Sequence, residues 1–252
     1  MREEDEGIIA AIDGDSIAYL CSKDTIDESI TNVDNIMADI LRTTGASKYY
    51  LFLSEGKYFR HEFYRDYKAN RPPTKLKYVR TLLRYLKEQY LAISVPRVEA
   101  DDMVMHIKSN FSNVVICAMD KDVLKGIEGR HYNYKTLEFV ETTAMGASYN
   151  LWLQTLMGDS GDNIKGIPGV GEVGAKKILD SAERPFTDKK LSKVTLEAYI
   201  NKFGASTGVY EFQKNFRLVY MLRHDQDFLN EIDRLPIFGS PVLVNSNTEQ
   251  EW

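Results

Sequence analysis

Gly7-Ile8-Ile9-Ala10-Ala11-Ile12-Asp13-Gly14 is the stretch that most directly indicates the fold. Its five consecutive apolar residues are too few for a helix, so they predict a buried β-strand over residues 8–12 that ends in a turn. Two similar runs, Tyr49–Leu53 and Val114–Met119, predict two further buried strands.

Helical patterns separate these strands. Apolar residues recur every three or four positions over residues 29–43, and residues 74–90 and 99–110 are also predicted to be helical. Residues 91–95 suit a short strand, and the alternation in residues 131–140 suits a marginal strand pair. The order of elements is therefore strand, helix, strand, which is typical of an α/β protein.

The pattern divides the chain into three parts. Residues 1–150 are predicted to form an α/β core with a mainly parallel central sheet flanked by helices. Residues 151–225 are predicted to form a helical subdomain that a glycine-rich stretch interrupts at 158–174. Residues 226–252 are expected to pack back or to be frayed, and the polar tail Asn245–Trp252 is expected to be frayed.

The composition excludes several classes of protein. Of the 252 residues, 43% are hydrophobic and 27% are charged, which excludes collagen-like, low-complexity and wholly disordered chains. Cys21 and Cys117 are too few for a disulfide framework or a thiolate zinc site. No apolar run approaches the roughly 20 residues that span a bilayer, and the acidic start Met1–Glu6 does not suit a secretory signal. We expect a soluble, cytoplasmic monomer, located in the host cytoplasm if a phage encodes it.

The charges are unevenly distributed. The net charge of −5 at first argues against a nucleic-acid partner, but residues 57–88 carry ten Lys and Arg against three acids, with aromatic residues between them. Cations for phosphates and rings for unstacked bases are typical of a channel for single-stranded nucleic acid. For residues 80–88 alone an ordinary solvated helix is favoured, whereas Tyr67-Lys68-Ala69-Asn70-Arg71 favours a phosphate-binding role.

Acidic residues concentrate at the ends of the predicted elements. Because ligand sites form outside the carboxyl ends of parallel strands, we expect these side chains to converge. Carboxylates without His or Cys suit Mg²⁺ or Mn²⁺, and a pair of such ions offers the two-metal-ion mechanism. Taken singly, each acid is more simply explained as a helix cap or a solvated first turn, but five segments in one chain favour a metal site. The segments are Asp13 with Asp15, Glu55, Glu99-Ala100-Asp101-Asp102, Asp120-Lys121-Asp122 and Asp159-Ser160-Gly161-Asp162.

The glycine-rich stretch is the most informative single segment. It contains Gly169-x-Gly171-x-x-Gly174, but no strand precedes it and Pro168 stands where such a strand would end, so a dinucleotide fold is excluded. The remaining interpretation is a helix-hairpin-helix whose second helix starts near Gly171 and whose backbone amides bind a DNA phosphate. Lys176 and Lys177 add positive charge there. A helical turn that serves only packing is the alternative.

Taken together, the motifs resemble those of the structure-specific 5′ nucleases, the flap endonuclease and 5′→3′ exonuclease family, particularly its short phage members. The late stretch Phe212–Leu222 also resembles the family's helix that packs the subdomain. The matching motifs are Ile12-Asp13-Gly14, Tyr67-Lys68-Ala69-Asn70-Arg71, Val98-Glu99-Ala100-Asp101-Asp102, Asp120-Lys121-Asp122, and Gly158–Asn163 running into Gly169-Val170-Gly171.

The resemblance implies a PIN-like 5′-nuclease core with an arch-like basic segment at 57–90. It implies that Lys68 and Arg71 contact the scissile phosphate, and that the hairpin at 166–177 binds duplex DNA and a K⁺ ion. The implied DNA contacts are Tyr67, Gly169, Gly171, Lys176 and Lys177. The implied metal ligands are Asp13, Glu55, Glu99, Asp101, Asp102, Asp120, Asp122, Asp159 and Asp162.

The chain departs from the family pattern at three places. Glu55 stands where the family usually has Asp, Gln154 replaces a basic residue, and the stretch from Asn70 to Glu99 is short for a full helical arch. The expected function is a Mg²⁺-dependent 5′ nuclease that cleaves DNA near 5′ ends, gaps or flaps. The alternatives are a PIN-like ribonuclease, which normally lacks the helix-hairpin-helix, and a non-catalytic protein that binds DNA structures.

Overall fold

The computed structural model describes residues 7–73 and 75–244. Within them, the strands are β1 (Ile9–Asp13), β2 (Lys48–Phe52), β3 (Val114–Ala118), β4 (Gly129–Asn133), β5 (Glu138–Thr142) and β6 (Val242–Leu243). They form one sheet in the order β5-β4-β3-β1-β2-β6. The pairs β1–β2, β1–β3 and β3–β4 are parallel, and only the edge pairs β4–β5 and β2–β6 are antiparallel. The prediction of an α/β fold with a mainly parallel sheet is confirmed.

The helices flank this sheet and then continue into a separate helical layer. Among the described residues, no helix is both long enough and apolar enough to cross a membrane. The helices that accompany the sheet are α1 (Asp15–Cys21), α2 (Ile26–Thr44), α3 (Arg60–Phe63), α4 (Val79–Gln89), α5 (Ala100–Asn110) and α6 (Lys121–Leu124). The helices that follow are α7 (Ala144–Met157), α8 (Glu172–Asp180), α9 (Asp188–Phe203), α10 (Ala205–Val219) and α11 (Asp225–Ile232).

Two predicted elements are shorter than expected. The helix predicted over residues 74–90 begins only at Val79, because Val79 is the first of its described residues to be buried, whereas residues 75–77 are exposed. The strand predicted over residues 91–95 is reduced to a single parallel bridge between Ile93 and Phe52.

The helix predicted over residues 29–43 is α2, which starts earlier because the Thr25 hydroxyl accepts a hydrogen bond from the Glu28 amide.

The C-terminal extension packs back within its described part. Strand β6 pairs with the edge of β2, and Phe228 and Ile232 of α11 are buried against the core. The frayed tail predicted for Asn245–Trp252 lies outside the described residues. The predicted boundary at residue 150 falls inside α7, so we propose that the helical subdomain starts with that helix, after Thr143.

Strand β1 lies at the centre of the hydrophobic core. Successive side chains of a strand point to opposite faces, so Ile9 and Ala11 pack towards α5 and α11, whereas Ala10 and Ile12 pack towards α1, α2 and α4. The helical subdomain has its own core, in which Trp152 stacks on Phe212 and Phe216 at centroid distances of 5.9 and 5.3 Å. The prediction that the stretch from Phe212 packs this subdomain is confirmed.

Helices α9 and α10 approach each other closely at Gly208, where an added Cβ would lie 2.6 Å from the Ile200 Cα. We expect Gly208→Ala to lower the free energy of unfolding by about 1–3 kcal/mol, because backbone atoms cannot move aside. Gly174→Ala is the matched control, because its Cβ would meet only a Val170 methyl at 3.6 Å. The control is expected to be neutral or to stabilise the helix by up to about 1 kcal/mol. Equal loss of stability in both variants, measured by denaturant unfolding, would contradict this account.

Candidate active site

The sheet topology brings most of the predicted acids together. Strands β1 and β3 are neighbours and run parallel, so their carboxyl ends lie at the same edge of the sheet. Asp13 ends β1 and Asp120 comes shortly after β3, so both lie at this edge. Helix α5 begins at this edge with Glu99 at its N-cap. A pocket of about 50 Å³ lies there. The predicted ligands that line it are Glu99, Asp101, Asp120, Asp122, Asp159 and Asp162.

Burial and mutual repulsion raise the pKa of carboxyls in and beside this pocket. Burial, with added repulsion from Asp15 and Asp120, raises the pKa of Asp13 to about 8. Burial and the charge of Asp13 likewise raise the pKa of Asp101 well above its ordinary value. Carboxyls in such a place lose protons readily only when a cation is close.

Glu55 lies outside this cluster, contrary to the sequence-based prediction. Its side chain is 65% exposed and accepts a 2.7 Å hydrogen bond from Lys87, which lowers the pKa of the Glu55 carboxyl. The residue that turns inward is Ser54, whose amide donates to both carboxylate oxygens of Asp15 at 3.0 and 3.1 Å. Asp15 is not among the predicted ligands, yet burial, with a smaller contribution from the charge of Glu99, raises the pKa of its carboxyl.

Asp102 joins a structural network, so the prediction that it binds metal is not supported by its contacts. The side chain is fully buried, and the Arg60 guanidinium donates to its two oxygens, each at 2.8 Å. The Leu222 amide donates to the same carboxylate at 2.9 Å. Both oxygens are therefore occupied by protein donors.

Arg60 is the central residue of this network and was not singled out in the sequence. It is 3% exposed, and besides Asp102 it donates to Glu99 at 2.7 Å. It also donates to the carbonyl oxygens of Leu218 and Tyr220 at 3.1 and 2.7 Å. By sequence, Arg60 is one of the ten cations of residues 57–88. The only sequence signal for its burial is the apolar neighbour Phe59.

Lys68 and Arg71 reach the carboxylates as expected for residues that act at the site. The Lys68 ammonium contacts Glu99 and lies 3.7 Å from Asp162. The Arg71 guanidinium contacts the other oxygen of Asp162. Tyr67, predicted to bind DNA, is only 4% exposed, and its hydroxyl lies 3.0 Å from Glu99 and 3.1 Å from Asp162. Its ring is therefore inaccessible to a nucleobase.

The cations Lys68 and Arg71 reach the carboxylates because their segment is fixed to the loop after α7. Lys68 has a positive φ of 56°, and its amide donates to the Asp162 carbonyl at 2.9 Å. The Asn70 and Asn163 side chains donate across the same contact, to the carbonyls of Ser160 and Asp66 at 2.6 and 2.8 Å. These backbone contacts place the segment directly over the carboxylate pocket.

The donor set suits a hard divalent cation. Within the described ranges, no three acidic, histidine or cysteine side chains are already arranged around one metal position. Lys68 and Arg71 contact Glu99 and Asp162, so an ion bound by these two carboxylates would have to displace both contacts. The clustered carboxylate oxygens are the ligands that Mg²⁺ and Mn²⁺ prefer, and a cation relieves the repulsion that raises the pKa of Asp13 and Asp101.

The glycine-rich stretch connects α7 to α8, and its predicted role as a DNA-binding hairpin stays a prediction. Helix α8 begins after its N-cap Gly171, and Gly169 has a positive φ of 84° at an exposed position. Gly158 and Gly166 close the base of the hairpin, where a Cβ on either would lie 2.3 Å from backbone atoms. Both lysines of α8 are exposed, and Lys176 pairs with Glu172 at 2.6 Å. The backbone amides at the start of α8 and the Lys177 side chain in its last turn are therefore both exposed to solvent.

The sequence predicts that aromatic rings of the basic segment stack on nucleobases, but the structure places several of them against the protein. Phe59 is buried as fully as Tyr67, and the Tyr85 hydroxyl donates to Asp34 at 2.9 Å. These rings therefore pack the protein. Several cations of the segment remain exposed, among them Arg65, Arg80 and Arg84.

Arg60 offers a direct test of this network. We expect Arg60→Ala to lower the free energy of unfolding by about 3–5 kcal/mol, because it leaves Asp102 and Glu99 buried without their partner. Arg42→Ala removes an exposed pair with Asp39 and is expected to cost at most about 1 kcal/mol. Denaturant unfolding of both variants measures the difference, and similar small losses would contradict a central role for Arg60.

Comparisons with known proteins agree with this geometry. Residues 12–150 match the family model of the 5′-3′ exonuclease, N-terminal resolvase-like domain. The chain is 27% identical over 202 residues to the thermostable DNA polymerase I of Thermus aquaticus, covering 70% of this chain and 24% of that protein. It is 29% identical over 160 residues to a 5′-3′ exonuclease of Bacillus subtilis, covering 56% and 53% respectively. The chain thus spans between about a quarter and about half of these two curated relatives.

Solved structures share the fold at low sequence identity. A bacteriophage T5 flap endonuclease complex with DNA and metal ions matches with a TM-score of 0.58 at 16% identity, covering 84% of this chain and 98% of that one. The T5 5′-exonuclease with bound zinc matches with a TM-score of 0.59 at 18% identity, covering 84% and 88%. The catalytic core of Rad2 with a DNA substrate matches with a TM-score of 0.54 at 14% identity, covering 95% and 83%.

The sequence-based resemblance to the 5′ nucleases is therefore confirmed. Because the matched domain model spans more than half of the chain and includes Asp13, Lys68 and Asp120, the protein belongs to the 5′-3′ exonuclease family defined by this N-terminal resolvase-like domain.

Proposed function

We propose that the protein is a Mg²⁺-dependent 5′ nuclease that hydrolyses DNA phosphodiester bonds near 5′ ends, gaps or flaps. The observation that carries the proposal is the pocket in which six predicted acidic ligands meet, with Lys68 and Arg71 at its rim. Family membership supports the reaction class, and the DNA and metal ions named for the T5 and Rad2 structures support the substrate and cofactor.

Each group has a distinct part in this reaction. Divalent ions held by Asp13, Asp101, Asp120 and their neighbours would polarise the phosphate and lower the pKa of a water molecule, which is the chemistry of a two-metal site. Lys68 and Arg71 leave Glu99 and Asp162 and neutralise the charge that develops on the phosphate. The exposed amides near Gly169 and Gly171 and the α8 lysines hold the duplex without reading its sequence.

Two alternatives are weaker on structural grounds. A PIN-like ribonuclease does not explain the hairpin formed before α8. A non-catalytic DNA binder does not explain why six carboxylates remain together in a pocket despite their repulsion.

The central test is cleavage of 5′-labelled DNA. We expect a duplex, a gapped duplex or a 5′-flap substrate to be cut in Mg²⁺ or Mn²⁺ and to remain intact in EDTA, with products resolved by denaturing electrophoresis. The proposal fails if none of the three DNA substrates is cut in either metal. Preferential cleavage of single-stranded RNA would favour the ribonuclease.

Asp120→Asn tests the metal site separately from folding. Asp120 also caps α6 by accepting a 2.8 Å hydrogen bond from the Asp122 amide, and Asn keeps that cap. We expect cleavage to fall at least about a hundredfold because a charged oxygen is lost where the transition state needs it, while DNA binding in EDTA is retained.

Glu55→Gln is the matched control, because Glu55 lies outside the pocket and pairs with Lys87. It changes one acid to its amide, as in Asp120→Asn, and is expected to change cleavage by less than about threefold. A collapse of activity in Glu55→Gln, or none in Asp120→Asn, would contradict the ligand assignment.

A further inference from the structure

A second groove continues from the carboxylate pocket towards the hairpin. Asp122 and Gln154 line both the pocket and the groove, so the two spaces are adjacent. The groove is much larger than the pocket, about 420 Å³ against about 50 Å³. Its walls come from α6, the end of β5, α7 and the first turns of α8. It therefore joins the nuclease core to the hairpin helix.

Three lysines converge on this groove from both sides. Lys121 and Lys125 come from α6 and the residue after it, and Lys176 comes from α8; all three are exposed. The hydrogen bond from Lys176 lowers the pKa of Glu172, and the charges of Lys121 and Lys125 lower it further. All three ammonium groups therefore act on Glu172, which shares α8 with Lys176 but lies in the helical subdomain, across the groove from Lys121 and Lys125.

Two of these lysines act on the nearby carboxylates of Asp122 and Glu172 only at a distance. Within residues 7–73 and 75–244, neither Lys121 nor Lys125 forms an ion pair or a side-chain hydrogen bond, whereas Lys176 pairs with Glu172. The other acids of the lining are also engaged, because Glu141 pairs with Arg130 at 3.4 Å and Asp122 belongs to the carboxylate pocket. The lining therefore has three lysines and three acids, but Glu172 pairs with Lys176 and Glu141 with Arg130, so the ammonium groups of Lys121 and Lys125 are left outside the ion pairs.

We propose that Lys121 and Lys125 bind backbone phosphates of the nucleic-acid strand that runs from the carboxylate pocket to the hairpin. This inference rests on the proposed function and adds a contact made by the nuclease core itself. When a strand is held at both ends of the groove, the number of nucleotides between the hairpin and the carboxylates is fixed. Lys121 and Lys125 therefore determine where along the strand cleavage occurs, and they are positioning residues.

Binding in EDTA tests the contacts without cleavage. Fluorescence anisotropy with a labelled gapped duplex is measured over a series of salt concentrations for Lys121→Ala, Lys125→Ala and the double variant. We expect each substitution to weaken binding about threefold to tenfold and to lower the slope of log affinity against log salt by about 1. Lys125 is three residues from the nearest predicted metal ligand, Asp122, so its variant separates phosphate binding from effects on the metal site.

Lys202→Ala is the matched control. Lys202 is an exposed lysine in the last turn of α9 and does not line the groove, so its removal is expected to leave the salt slope unchanged. Circular dichroism of all variants confirms that they are folded. A salt slope in the Lys121 and Lys125 variants equal to that of Lys202→Ala overturns the proposal.

Mapping the cut sites in Mg²⁺ gives a second readout that a general loss of charge does not produce. We expect the double variant to spread cleavage over neighbouring phosphodiesters, whereas Lys202→Ala keeps the wild-type position. If the wild-type protein cuts no substrate but its binding still depends on Lys121 and Lys125, the nuclease function fails and the groove contact stands. Unchanged cut sites and an unchanged salt slope in an active double variant defeat the groove proposal alone.

Discussion

The buried Arg60 guanidinium is the interaction on which the site depends. It neutralises Asp102 and Glu99 at the start of α5 and also binds the Leu218 and Tyr220 carbonyls at the C-terminal end of α10. A single buried cation therefore joins the α/β core to the helical subdomain beside the carboxylate pocket. Because a buried ion pair contributes mainly when all its partners are present, losing Arg60 affects both domains together.

The same electrostatic constraint explains the position of the basic segment. Carboxylates gathered at one edge of a parallel sheet repel one another, and burial raises the pKa of Asp13 and Asp101. Lys68 and Arg71 provide the compensating charge by contacting Glu99 and Asp162. The cations that we propose to act on the phosphate are thus held at the site by its own acids, and any metal ion bound by Glu99 and Asp162 would have to displace them.

Sequence reasoning succeeded where a residue's position follows from its element. Asp13 and Asp120 follow neighbouring parallel strands, so their meeting could be predicted from the strand pattern alone. It failed for Glu55, because β2 ends at Phe52 and the chain after it turns Ser54 inward and Glu55 out to Lys87. It failed for Tyr67 because an aromatic ring among cations has the same pattern whether it stacks on a base or packs in the protein.

The sequence by itself determined the α/β class, the parallel sheet, the hairpin before α8 and the family, because periodicity, glycine positions and motif order are local properties. Only the tertiary structure decided which acids face one another and which cations they hold. Arg60 and Lys68 belong to one basic segment, yet Arg60 lies in a closed network and Lys68 at the rim of the pocket. That difference arises from contacts between residues far apart in the chain, such as Arg60 with Tyr220, which no local pattern encodes.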